Sequence, residues 1–184
     1  MSESDAGGSL VYHERQRLQL CLLHALNNLF QQKDAFTRPR LNALAEHLLL
    51  EDPQRQRQIM PALFTPHHNV LSGNYDVNVL MAALDGPPKK KVLWHDRRTP
   101  ATSIDLASPD LMGIMLNTTI SRLRGFWTSR HWLTLKNIHG VWYNLDSHLS
   151  APQPFPDQQR LISFLDDAVA QGGEIFLVFN QEED

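Results

Sequence analysis

Three side-chain types able to carry thiol chemistry stand in order along this chain: Cys21, then His131, then Asn144 and Asp146. Cys21 is the single cysteine, so it has no partner for an internal disulfide and no companions for a multi-cysteine metal site. What remains for it is packing or nucleophilic attack. A cysteine, a later histidine and a still later Asn or Asp are the equipment of thiol hydrolases, provided the fold brings them together. Free cysteines are also among the most buried residue types and commonly only fill space. The thiol therefore takes its meaning from its surroundings.

Those surroundings favour chemistry. Cys21 opens the apolar run Leu22, Leu23, Leu26, Leu29, Phe30, which has helical spacing and predicts a helix from Cys21 to about Gln32. A helix amino terminus offers unpaired N–H groups and partial positive charge, both of which favour a thiolate. His131 begins a strand pattern and is followed by Trp132, which could wall one side of an imidazole or equally be a core aromatic. The segments Trp132–Asn137 and Val141–Leu145 flank Ile138-His139-Gly140, a hairpin signal. Counted from that turn, His131 and Asp146 fall almost opposite each other, and Asn144 shares a strand face with Asp146.

The elements that must hold these residues read as helices first and strands later. Thr37 to Asp52 predicts a second helix with Thr37 as cap candidate, a short helix is expected around Gln54 to Met60, and Gly73 to Asp76 leads into a helix through Leu84. Val92–Trp94, Gly113–Asn117, His131–Ile138, Val141–Asp146 and Ile175–Phe179 predict strands. Asp157 to Gln171 predicts a late helix ending at Gly172-Gly173. The fold class is therefore α+β, with the amino-terminal helix across a mainly antiparallel sheet.

Composition narrows the setting. The chain has 184 residues, 42% apolar and 20% charged, with a formal net charge of −3. It is long enough for one domain that folds without disulfide or metal. The charge argues against nucleic acid as the main partner. No apolar run reaches the ~18 residues of a membrane span, and the polar, acidic start does not resemble a leader. A lone thiol suits a reducing compartment, so a cytoplasmic monomer is expected. The expected organisation is a disordered tail over 1–10, one domain over 11–180 and an acidic tail over 181–184. His24 is expected to pack or hydrogen-bond. His67-His68 lacks further ligands, Lys89-Lys90-Lys91 reads as a solvated turn, and Pro152–Pro156 as a bridge to the late helix.

Four blocks resemble one known family. His13-Glu14-Arg15-Gln16 with Leu20 to Leu29 is similar to the opening of Josephin-domain deubiquitinases, Ser72 to Leu80 to their middle helix, and Arg130-His131-Trp132 and Trp142 to Ser147 to their histidine and Asn/Asp blocks. The match runs from Tyr12 to Phe179 and looks like a short, Josephin-only member. The resemblance implies a papain-like cysteine protease fold with a helical arm, here within the divergent stretch Lys33 to Leu71. It implies that Cys21 is the nucleophile, His131 the general base and acid, Asp146 the third member, and Gln16 an oxyanion donor. Ubiquitin and ubiquitinated proteins are the implied partners, with no metal or organic cofactor. A ubiquitin-binding module of little activity, or a thiol hydrolase or acyltransferase with another acyl donor, would carry the same residues.

Overall fold

The structure is a computed structural model that describes residues 11–16, 20–51, 75–122 and 127–181. The expected amino-terminal tail, all but the first residue of the expected acidic tail and the short helix around Gln54 to Met60 lie outside these residues, as do His67 and His68.

The chain forms α1 (Cys21–Phe30), α2 (Arg38–Glu51), α3 (Val77–Asp85), β1 (Lys90–Trp94), a 3-10 turn (Ala101–Ser103), β2 (Leu111–Arg122), β3 (Trp127–Ile138), β4 (Val141–Asn144), β5 (Gln153–Pro154), α4 (Gln158–Ala170) and β6 (Glu174–Asn180). The helix ends follow local chemistry. The Thr37 hydroxyl accepts from the Arg40 N–H at the start of α2, Asp76 accepts from Asn78 and Val79 at the start of α3, and Asp157 from Arg160 at the start of α4. Each side-chain oxygen satisfies an N–H that the helix cannot. Two expectations change here: Lys90 and Lys91 belong to β1 rather than a turn, and Gln153–Pro154 pairs with β4 as a short edge strand rather than only bridging.

The strands form one antiparallel sheet in the order β1-β6-β2-β3-β4-β5. Side chains alternate across it with a period of two. Met115, Trp132, Phe176 and Val178 face a core shared with α1, α2 and α3. Ile114, Leu116, Leu133, Leu135, Ile175 and Leu177 face α4 and the 3-10 turn. The β3–β4 hairpin closes through His139 and Gly140, whose φ angles are 52° and 85°. Two successive positive φ values match the right-handed twist of the flanking strands, which is why a glycine stands there.

This is an α+β fold with α1 laid against a mainly antiparallel sheet. The Thr134 hydroxyl of β3 donates to the Ala25 carbonyl of α1 at 2.6 Å, fixing the helix on the strand that carries His131. α2 buries Leu41 and Ala45 and is tied to the entrance of α3 by the Tyr75 hydroxyl donating to Asn42. The first helix of the expected arm is thus packed through one narrow stripe. Among the described residues, no helix is long and apolar enough to cross a membrane.

Candidate active site

α1 differs from the one-sided helix its leucines suggest: Cys21 through Leu29 are all buried. Its polar members are consumed in holding the segment over 12–16. The buried Asn28 accepts from the Glu14 N–H at 2.6 Å and donates to the Leu145 carbonyl at 2.8 Å. Asn27 donates to the Glu14 carboxylate and to the Phe36 carbonyl, and accepts from the Phe36 N–H. His24 pairs with Glu14 at 2.7 Å, the packing role expected of it. Tyr12 donates to the same carboxylate. Burial would raise the Glu14 pKa, but the hydrogen bonds from Tyr12, His24 and Asn27 outweigh it and hold the carboxyl below its ordinary value.

Cys21 is the first residue of α1. Leu20, in the capping position, has no side-chain oxygen to offer, and the first turn holds no acidic residue. The amino-terminal N–H groups and their partial positive charge therefore stand beside the thiol without a side-chain cap from Leu20.

His131 interacts with both Cys21 and Asp146. Its Nε2 lies 2.7 Å from Asp146 Oδ1, and the Cys21 side chain lies close enough to the same ring to raise its pKa. With Nε2 committed to the carboxylate, Nδ1 is the nitrogen left for sulfur. The His131 side chain is only 4% exposed. Burial alone would lower its pKa, yet the hydrogen bonds and negative charge of Asp146 and Cys21 prevail and raise it to about 9. Asp146 responds in the opposite sense: burial pushes its carboxyl up, and the His131 hydrogen bond and charge pull it below its ordinary value.

Asp146 reaches His131 by a turn rather than by strand pairing. The β3–β4 ladder runs from Ile138↔Val141 to Leu135↔Asn144, and that register carried on would set His131 opposite His148. After Asn144 the chain bends. The Asn144 side chain accepts from the Asp146 N–H at 2.9 Å, and Asp146 Oδ1 accepts from the His148 N–H at 2.9 Å. Asn144, a candidate for orienting the imidazole, thus shapes the turn that presents Asp146.

Gln16 sits against the same turn. Its N–H donates to the Ser147 carbonyl at 2.7 Å, and its side-chain oxygen accepts from the Ser147 hydroxyl at 3.3 Å. With the oxygen engaged, Gln16 has its amide N–H groups to offer. His13 places Nε2 2.9 Å from the Asp146 carbonyl. Trp132 is a core residue, 1% exposed, with its indole N–H on the Tyr75 carbonyl. Of the two readings of Trp132, the core aromatic holds, because the strand alternation turns residue 132 to the face opposite its neighbours. Sequence reasoning passed over Asn28, Ser147 and His148. Two adjacent asparagines inside an apolar helix were the available signal, since a buried amide demands partners.

The fold and this cluster define a class: an α+β protein with a thiol, an imidazole and a carboxylate joined in series. A Josephin family model matches residues 16–179, and the chain belongs to the Josephin family. It is 54% identical to a Josephin-like protein of Arabidopsis thaliana over 160 residues, covering 86% of this chain and 44% of that one. It is 40% identical to Josephin-2 of Homo sapiens over 178 residues, covering 94% and 87%. Human Ataxin-3 is 25% identical over 178 residues, covering 91% and 45%. The chain thus spans less than half the length of the plant relative and most of Josephin-2.

Proposed function

We propose that this protein is a thiol-dependent deubiquitinase, hydrolysing the peptide or isopeptide bond after the terminal glycine of ubiquitin. The observation that carries the reading is the buried His131 ring bonded to the Asp146 carboxylate, with Cys21 near enough to act on the ring's charge. Family membership supplies the substrate class.

In this reading residues 11–180 are one catalytic unit, acting as a cytoplasmic monomer. His131 takes the Cys21 proton, and the thiolate attacks the glycine carbonyl. The charge that develops on the carbonyl oxygen is met by the Cys21 backbone N–H and the Gln16 amide; losing one such donor typically costs ~3 kcal/mol of barrier. The tetrahedral intermediate collapses as His131 hands its proton to the leaving lysine amine, leaving a thioester on Cys21. Water, deprotonated by His131, then attacks the thioester and releases the ubiquitin carboxylate and the thiol. Asp146 holds the tautomer and orientation of the ring throughout. The chemistry needs no metal or organic cofactor.

The test uses ubiquitin bearing a carboxy-terminal fluorogenic amide, with folded Cys21→Ala and His131→Ala proteins as controls. Loss of cleavage by at least a thousandfold in both variants is expected. Unchanged rates in either would remove the proposal. A ubiquitin with a carboxy-terminal electrophile separates the enzyme, which is captured covalently at Cys21, from a module that binds without forming an adduct.

A further inference from the structure

His148 was not among the residues singled out by sequence, yet its ring lies flat on the ring of His131. The centroids are 4.0 Å apart and the planes differ by 16°. His148 also places Nδ1 3.8 Å from Asp146 Oδ1, the oxygen that His131 holds. The two rings differ sharply in exposure: the His148 side chain is 37% exposed and that of His131 is 4%. His148 is therefore the outer member of the stack and forms the cover over one face of His131.

We propose that His148 is a positioning residue, whose ring clamps the His131 imidazole in the plane that joins Cys21 to Asp146 and keeps water off its face. The inference rests on the reading of His131 as the group that activates Cys21. An imidazole can swing about its Cβ–Cγ bond, and each swing breaks the alignment with sulfur on one side and carboxylate on the other. A flat aromatic partner on one face opposes that motion. The turn from Asn144 to Leu149 delivers both parts at once. Its His148 N–H fixes the Asp146 carboxylate, the Leu149 N–H closes on the Asp146 carbonyl at 3.0 Å, and the His148 ring is left over His131.

A cation site is the other arrangement these groups suggest, since ligand atoms of His131, Asp146 and His148 lie within 4.8 Å of one another. The stack disfavours it. Near-parallel rings send their in-plane lone pairs side by side rather than towards a common point, and His131 Nε2 is already engaged with Asp146. Among the described residues, the titratable groups facing the His131 ring are Asp146 and His148 from the turn after β4 and Cys21 from α1. His13 adds a ring nitrogen on the Asp146 carbonyl.

The lone cysteine makes the test direct. Carbamidomethylation of Cys21 by iodoacetamide reports thiol activation without any ubiquitin, and is followed from pH 5 to 10 in chelator-treated protein. In His148→Ala the alkylation rate near neutral pH should fall about three- to tenfold, the range expected for an aromatic pair. His148→Phe, which keeps the flat face, should restore the rate to within about twofold, whereas His148→Gln, which keeps only polarity, should not. On the ubiquitin amide, kcat should fall by the same factor with KM unchanged, because the ring acts on the imidazole and not on the body of the substrate. Since His148 is surface-exposed, the variants should keep the near-ultraviolet circular dichroism of the parent.

Superimposable alkylation profiles for the parent and His148→Ala would overturn the inference, whether or not ubiquitin is cleaved. Rescue by Gln but not Phe would overturn it too, by assigning the effect to polarity. A parent protein that fails to cleave ubiquitin but keeps a His148-dependent alkylation profile would sink the proposed substrate and leave the clamp standing.

Discussion

Replacing Asp146 by asparagine tests the central electrostatic claim with little steric change. An amide can keep an oxygen where Oδ1 now stands, 2.7 Å from His131 Nε2, so the hydrogen bond can persist while the charge is lost. The imidazole is raised from 6.5 to about 9, worth about 3 kcal/mol in favour of the charged ring at ~1.4 kcal/mol per tenfold. That net preference survives a burial penalty of opposite sign, and it is shared between Asp146 and Cys21. Losing the carboxylate charge removes part of that preference and lowers the ring's pKa. In the proposed mechanism the imidazolium protonates the leaving amine, so its loss sets the alkaline limb of kcat/KM. That limb should stand near pH 9 in the parent and about one unit lower in Asp146→Asn. At pH 8.5 a downward shift of about one unit amounts to roughly a threefold loss of activity from protonation state alone. Steady-state cleavage of the fluorogenic ubiquitin amide between pH 6 and 10 measures it. Limbs at the same pH in both proteins would refute the claim that the Asp146 charge holds the imidazolium.

The same shifts make stability depend on pH in two windows. His131, raised in the fold, contributes fully below about pH 6.5 and loses its contribution as pH rises through about 9; Asp146, lowered from 3.8, contributes above that value and loses it as pH falls further. The Tm difference between the parent and Asp146→Asn should therefore be greatest between these windows and close at both ends, as scanning calorimetry against pH will show. Asn28→Ala strands the Glu14 N–H and the Leu145 carbonyl in a buried place, so about 2–3 kcal/mol of stability and roughly 5–10 °C of Tm should be lost. Because that side chain also ties the Gln16 segment to the Asp146 turn, its activity should fall at temperatures where the protein is still folded. Gly113→Ala sets a Cβ 2.6 Å from Leu29 Cδ1 and 3.0 Å from the Leu135 carbonyl, an overlap between α1 and β2 expected to cost about 1–3 kcal/mol by urea unfolding.

The amino-acid order alone determined a good deal. Local periodicity is a short-range property, so the helices from Cys21, Val77 and Gln158 and the β3–β4 hairpin were legible within a few residues at their ends. The order of cysteine, histidine and acid was equally plain, and the His139-Gly140 turn brought the last two near each other by counting. The count still missed by two positions: pairing extended from Leu135↔Asn144 aims at His148, and only the bend after Asn144 swings Asp146 onto His131. Trp132 went to the core for a related reason, because a strand sends neighbouring side chains to opposite faces and only the position of α1 decides which face is packed.

What the tertiary structure decided is the meeting of distant parts. Asn28 joins α1 to Leu145 across 117 positions, and Thr134 joins β3 to Ala25 across 109. No local pattern encodes such contacts. They arise because a buried amide or hydroxyl costs too much unpaired, and the partner it finds depends on which segments the packed layers bring past it. The thiol and the imidazole are joined in this way, by helix-on-sheet packing, and the cover that His148 lays over the ring exists only once that packing is complete.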